Sequence, residues 1–222
     1  MKKSKAILMV VCAMLLVAAS VMGTLAYLTS TDTVTNTFSI GKVEITLDEA
    51  KANPDGSLVE GAARVDGNSY KLMPGHTYNK DPQVHVKADS EPSYIRMLVT
   101  VSNIDALKAA FPVADYPDFY ADEVFLLQEL VGGWNSTDWA CNSVNGNVYE
   151  FRYAAGGIFV PAETEDTYVD LPKLFTTITI PSTVDATALA NLDKVTITVV
   201  AQAIQADGFT DADDAWDNFP TT

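Results

Sequence analysis

Apolar residues fill the first segment of the chain and then give way to an alternation that Ser30, Asp32 and Asn36 interrupt. Residues 7–22 are almost wholly apolar and follow lysines at positions 2, 3 and 5. From residue 28 to residue 40 the polarity alternates, and threonines occupy the odd positions from 29 to 37. The other face is dominated by Leu28, Val34, Phe38 and Ile40. This pattern predicts a half-buried strand rich in β-branched residues.

The alternation changes phase at Gly41. Apolar positions are even-numbered up to Ile40 and odd-numbered from Val43 to Leu47. A glycine at such a phase change predicts a bulge or a corner where the strand passes between sheets. The polar, small residues from Asp48 to Gly67 then predict a surface loop.

Three further stretches also predict strands. Residues 84–88 alternate so that His85 is expected to face solvent, and residues 94–101 place alternate apolar side chains inward. Residues 195–203 are the longest regular alternation in the second half of the chain, which predicts a central strand. Asn145 and Gly146 predict a tight hairpin turn.

The aromatic residues of that hairpin leave two interpretations open. Tyr149, Phe151 and Tyr153 alternate along one strand, and such a surface is able to stack against a sugar. Core packing is the interpretation we favour, because aromatic side chains dominate β cores.

Helical spacing is confined to a few short segments. Residues 104–131 predict a helical insertion, made of one short and one longer helix. Residues 185–192 predict another short helix. At the C-terminus, Thr210 is expected to cap a final helix that carries Trp216. The overall pattern therefore predicts a mainly β fold, an antiparallel sandwich with a few short helices.

The N-terminal apolar segment has the order of a secretory signal. Positive charge comes first, then the apolar run, and then small residues at positions 24 and 26. These features place the cleavage site between Ala26 and Tyr27, with a signal peptide over residues 1–26 and a single β-sandwich domain over residues 27–222. A retained membrane helix is the alternative, because the uncharged stretch is long enough to cross about 30 Å of hydrocarbon.

Several short runs occur in a characteristic order along the chain. They are residues 23–32, 36–47, 72–75, 79–82, 94–97, 174–181 and 203–209. In this order they resemble the TasA/camelysin proteins, exported proteins of Gram-positive bacteria whose signal is removed by a SipW-type signal peptidase. The resemblance implies a jelly-roll β-sandwich. For TasA-like members it also implies biofilm-matrix fibres in which the N-terminal strand of one subunit completes the sheet of the next.

Charge and cysteine content narrow the function classes. The 222 residues carry 14 basic and 29 acidic side chains, a net charge of -15, and loss of the three leader lysines makes it -18. Such an acidic surface repels phosphates, so nucleic acid is not an expected partner. Cys12 leaves with the leader, and Cys141 is then expected either to link subunits or, as we favour, to be a buried small side chain.

An enzyme is the less favoured interpretation. Camelysin-like relatives have been classed as metallopeptidases, but the sequence has only His76 and His85 and no His-Glu-x-x-His motif. We therefore assign no catalytic residue, metal ligand or cofactor. The acidic residues 207–214 leave a weak calcium site open as an alternative to helix capping.

The sequence thus predicts a secreted structural protein of the cell surface or biofilm matrix. Its partners are further copies of itself, joined head to tail through residues 27–40, a SipW-type peptidase and an anchoring or accessory matrix protein. Leu28, Val34, Phe38 and Ile40 form the expected assembly strand. A monomeric surface-binding module, with glycan as a ligand, is the alternative.

Overall fold

A computed structural model describes residues 11–15, 42–111, 130–161, 167–190 and 195–220 of the chain. The chain divides into two compact units, residues 1–40 and residues 41–222. In the first unit residues 11–15 are helical and exposed. No helix in the part of the chain that the structure describes is long and apolar enough to span a membrane.

The second unit is built mainly of short strands. The strands are β1 (Ile45–Asp48), β2 (Thr77–Asn79), β3 (Gln83–Lys87), β4 (Ser93–Val101), β5 (Val131–Gly132), β6 (Trp139–Asn145), β7 (Val148–Tyr153), β8 (Tyr168–Asp170), β9 (Thr177–Thr179) and β10 (Ile197–Gln205). The helices are α1 (Ile104–Ala109), α2 (Ala186–Ala190) and α3 (Ala212–Asp217), with a 3-10 turn at Ala154–Gly156. The prediction of a mainly β fold is confirmed.

The strands form three antiparallel sheets, in the orders β1-β3-β8, β10-β4-β7-β6 and β2-β9-β5. One large apolar core receives side chains from all three sheets. A smaller cluster, which includes Tyr94 and Trp216, lies under α3.

β4 is the strand around which the four-stranded sheet is built. It pairs along its whole length with β10 and over five residues with β7, so that Val99 lies opposite both Val199 and Tyr149. Its inward side chains are at most 2 % exposed: Ile95, Met97, Val99 and Val101. The inward face predicted for this strand is confirmed.

The prediction that β10 is central is wrong for the described residues. Among them β10 pairs on one side only, with β4, and ends the four-stranded sheet. Its faces are nevertheless as predicted, since Ile197, Val199 and Ala201 pack against the main core. Length and regularity indicate a strand, but they do not indicate which strands lie on each side of it.

The predicted hairpin is confirmed. Asn145 pairs with Val148, so the turn that joins β6 and β7 consists of Gly146 and Asn147, one residue later than the predicted pair. Gly146 has a φ of 60°, the left-handed conformation that such a turn requires. Trp139, Tyr149 and Phe151 of the hairpin are at most 1 % exposed, and Tyr153 is half-buried and packs against the main core. They are core residues, as favoured by the sequence interpretation, and do not form an exposed stacking surface.

The predicted helices at residues 104 and 185 are confirmed as α1 and α2, whereas the longer helix predicted after α1 falls largely on residues outside the described ones. The terminal helix α3 is capped by Asp211, whose side chain accepts a hydrogen bond from the Asp214 N–H, and not by Thr210 as predicted. Thr210 instead donates its own N–H to the Asp214 carboxylate.

The predicted surface loop after β1 is more ordered than expected. Glu49 is only 4 % exposed and exchanges backbone hydrogen bonds with Val65. Gly56 has a φ of 89°, and a Cβ atom there would lie 2.6 Å from the Tyr78 Cα atom. The loop is therefore packed tightly against β2, with room at this point for glycine only.

We expect Gly56→Ala to reduce the free energy of unfolding by about 3 kcal/mol, because it adds a steric clash with Tyr78 to the cost of left-handed backbone. Gly61 is a matched control, since its φ is 69° and nothing lies within 4 Å of its Cβ position. Gly61→Ala should cost only about 1 kcal/mol. Equal losses in urea unfolding would show that the loop is not packed against β2 in this way.

Candidate functional site

Two adjoining cavities form a groove beside β10. Their volumes are about 330 Å³ and about 190 Å³, and both are lined by Asn68, Lys80, Ile197 and Thr198. We call this feature the β10 groove. Because the cavities share four lining residues, they form one extended groove.

The floor and one wall of the groove are apolar. The floor consists of side chains that are at most 4 % exposed: Tyr78, Leu107, Leu130, Ile178 and Ile180. β10 supplies the apolar wall through Ile197 and Val199, which are only half-buried. Apolar surface that the fold itself covers incompletely is the surface that an inserted apolar side chain would bury.

The edge of β10 adds hydrogen-bonding capacity to the groove. In the described part of the chain β4 is the strand that pairs with β10, and the register runs from Ile197 opposite Val101 to Gln205 opposite Ser93. A strand paired on one side presents a row of N–H and C=O groups on the other. An extended peptide is therefore the kind of ligand that this edge and the adjoining apolar floor both suit.

The wall opposite β10 is charged and begins immediately after β1. Glu49 lies between Lys80 and Asn68: its Oε2 atom is 2.6 Å from Lys80 Nζ, and its Oε1 atom accepts a hydrogen bond of 2.9 Å from Asn68 Nδ2. The Glu49 and Lys80 side chains are 5 % and 10 % exposed. A buried charge is tolerated only with such a partner.

A second set of ion pairs extends this wall. Arg64 contacts the carboxylates of Asp48 and Asp81, and Lys173 Nζ lies 2.6 Å from Asp81 Oδ2. Asp81 also accepts a hydrogen bond of 2.6 Å from the Ala50 N–H. Burial raises the pKa of Asp81, but its bonds to Lys173, Ala50 and Arg64 outweigh burial and hold that pKa below its ordinary value. Asp81 is thus a charged anchor for the loop.

His85 joins the three strands of the β1-β3-β8 sheet. Its Nε2 atom lies 2.9 Å from Oδ1 of Asp48, the last residue of β1, and its Nδ1 atom lies 2.7 Å from Asp170 Oδ1 of β8. The prediction that His85 faces solvent is wrong, because the residue is 9 % exposed. The long-range ion pairs of Asp48 and Arg64 cover this face of the sheet. The alternation of polar and apolar residues by itself predicts that the same face is exposed to solvent.

The protonated form of His85 is the one that fits this site. Both ring nitrogens face carboxylate oxygens, so only the imidazolium donates to both. Burial lowers the pKa of His85, but the hydrogen bonds to Asp48 and Asp170 outweigh that effect, and the pKa is raised above its ordinary value. The charge on His85 therefore stabilises the attachment of β1 and β8 to β3.

None of the site residues predicted from the sequence belongs to the part of the chain that the structure describes. The predicted cleavage site at Ala26 and Tyr27 and the predicted assembly strand lie outside the described residues. The members of that strand are Leu28, Val34, Phe38 and Ile40. The structure adds residues that the sequence interpretation did not single out: Glu49, Arg64, Asn68, Lys80 and Asp81.

One signal in the sequence does point to Glu49. The inward positions of β1 are odd-numbered, and the next odd position after Leu47 is a glutamate. A charge at an inward position predicts a buried partner. No comparable local signal identifies Lys80 or Asn68, which reach Glu49 only through the fold of the loop.

No group of three or more potential metal ligands occurs among the residues that the structure describes. Cys141 is half-buried and packs against the main core. Neither a scan against protein-family models nor searches of curated proteins and of solved structures found a match for the chain.

The pKa of His85 is raised in the folded state, so its contribution to stability is fully present below the unfolded value of 6.5. We expect that contribution to be lost as the pH rises through the folded-state pKa. Urea midpoints across this rise in pH should fall less in His85→Gln than in the unsubstituted protein. His76→Gln, at the other histidine, should keep the full pH dependence. An unchanged slope in His85→Gln would contradict the role given to His85.

Proposed function

We propose that the chain is an exported structural protein of the cell surface or biofilm matrix that assembles head to tail. In this proposal a SipW-type peptidase removes residues 1–26, a helical signal peptide, and residues 27–40 then enter the β10 groove of another copy. The single observation that carries the proposal is an apolar groove that lies directly beside a strand edge with a free side in the described structure. Such a combination suits an added β-strand.

The chemistry of residues 27–40 supports the same partner. The alternation places Val34, Phe38 and Ile40 on one face, which matches a groove with an apolar floor, and threonines on the other. Main-chain hydrogen bonds to β10 would supply adhesion, while the apolar side chains would set the register. The contact is heterologous and does not close on itself, so it propagates as a filament.

The position of β1 supports delivery of this strand. β1 begins at Ile45, only a few residues after Ile40, and is held to β3 through Asp48 and His85. Because the donor segment leads directly into a strand that is held within its own domain, its insertion into another copy would connect the two domains. A jelly-roll arrangement of the three sheets, an acidic soluble surface and an accessory matrix protein as anchor complete the proposal.

Signal removal is expected to trigger assembly. Residues 27–222, purified and concentrated, should form filaments visible by negative-stain electron microscopy and should scatter light increasingly with time. The same chain with a short polar extension before Tyr27 should remain monomeric, because the extension blocks entry of the strand. Equal behaviour of the two proteins would count against strand donation.

The groove side of the contact is tested by a matched pair on β10. Thr198 and Val200 are both exposed residues of this strand, but only Thr198 lines the β10 groove. We expect Thr198→Arg to raise the critical concentration for assembly about tenfold or more, since a misfit of about 1.4 kcal/mol suffices for that change. Val200→Arg should assemble like the parent chain, and a reversed order would place the contact on another face.

A further inference from the structure

Glu49, Lys80 and Asn68 bring together an amine, a carboxamide and a carboxylate in one sheltered place. One oxygen of the Glu49 carboxylate contacts Lys80 Nζ at 2.6 Å, and the other contacts Asn68 Nδ2 at 2.9 Å. The amine and the carboxamide are therefore held on the two oxygens of a single carboxyl group. This juxtaposition supplies the proximity that a bond-forming step needs.

The surroundings exclude most water from two of the three groups, whereas Asn68 is half-buried. Lys80 is 8 % exposed and Glu49 is 4 % exposed. The ring of Tyr70 packs edge-on against Tyr78 at 5.4 Å between centroids, and both rings line the same cavity as Asn68 and Lys80. Burial, together with the negative charge of Glu49, raises the pKa of Tyr70.

The Asn68 carboxamide is also held in place by backbone hydrogen bonds. Its Oδ1 atom accepts a hydrogen bond of 2.8 Å from the Ala52 N–H, and its Nδ2 atom donates one of 2.8 Å to the Ala50 carbonyl. A backbone N–H on the carbonyl oxygen stabilises negative charge that develops there during acyl transfer. The side chain is thus fixed at both ends, as a positioned electrophile requires.

We propose that Lys80 and Asn68 form an intramolecular isopeptide bond, with Glu49 as the acid and base that moves the protons. The Glu49 carboxylate takes a proton from the Lys80 ammonium, and the free amine attacks Asn68 Cγ. Negative charge that develops on Oδ1 is held by the Ala52 N–H.

The bonds and protons balance without any other reactant. The new bond joins Lys80 Nζ to Asn68 Cγ, and the bond from Cγ to Nδ2 breaks when Glu49 returns its proton to Nδ2. The second proton on Nζ leaves with the departing ammonia as ammonium. No oxidant or cofactor takes part, and Glu49 ends in the form in which it began.

The bond would attach the loop after β1 covalently to the end of β2. Asn68 belongs to that loop and Lys80 follows Asn79, the last residue of β2. Both residues line both cavities of the β10 groove, so the bond would fix the charged wall of the groove in place. It does not require assembly, and it is formed or absent in a single copy of the chain.

Mass spectrometry of the full chain, purified under native conditions, tests the bond. We expect an intact mass lower than that of the sequence by one ammonia, about 17 Da. Tryptic digestion should yield residues 65–71 joined to residues 72–87, with no cleavage after Lys80. A full sequence mass would overturn the proposal. So would the lower mass without the joined peptides, because ring closure at Asn145 before Gly146 also releases one ammonia.

Variants separate the reaction from mere proximity. Glu49→Gln keeps both reacting groups and the side-chain shape, and we expect it to show the full mass while circular dichroism confirms folding. Lys80→Met should also show the full mass. Lys71→Arg, which changes a nearby exposed lysine, should retain the loss of ammonia. If Glu49→Gln still lost one ammonia, Glu49 would not be the acid and base of the reaction. If Lys71→Arg showed its full sequence mass, Lys71 and not Lys80 would be the reacting amine.

Discussion

The β10 groove depends on ion pairs near the end of β1, of which the pair between Glu49 and Lys80 is shielded from water on both sides. Glu49 with Lys80, and Arg64 with Asp81, hold the loop after β1 against the β2-β3 connection, and Lys173 adds a second cation to Asp81. Removing one partner of a buried pair costs about 3–5 kcal/mol, because the other charge is left without compensation. These pairs therefore bring the charged wall of the groove together as the chain folds, before the proposed bond between Lys80 and Asn68 replaces the first of them.

The opposite wall has a different physical origin. β10 is fixed by a complete antiparallel register with β4, whose inward side chains fill the centre of the core. Its inner face is packed, whereas its outer edge has no partner strand among the described residues. One wall of the groove is thus held by ion pairs and the other by core packing. Between them lie an apolar floor and the backbone N–H and C=O groups along the outer edge of β10. This combination is the physical basis of the proposed strand addition.

Local patterns in the sequence were sufficient to predict the local elements. Alternation identified β4 and the packed face of β10, and Asn145 with Gly146 identified the hairpin, because each of these features is decided by neighbouring residues. The position of β10 within its sheet and the burial of His85 were predicted wrongly. Both depend on which distant segments lie alongside, and a period of two carries no information about that.

The candidate site was the least predictable part for the same reason. Glu49 is 31 residues from Lys80 and 19 from Asn68 along the chain, so no spacing motif links them. The one available clue, a carboxylate at an inward position of β1, indicates that a partner exists but not which residue it is. The proposed donor strand, in contrast, is a continuous segment whose alternation is visible directly in the sequence.

Disulfide trapping in mixed isotopic samples tests the proposed assembly most directly. Phe38→Cys and Thr198→Cys are introduced together into residues 27–222 that carry Cys141→Ser, and normal and ¹⁵N-labelled copies are mixed before assembly and oxidation. Strand donation predicts peptides in which residue 38 of one isotope is joined to residue 198 of the other. Joined peptides of a single isotope only would show that residues 27–40 fold onto their own copy, and would contradict assembly through the β10 groove.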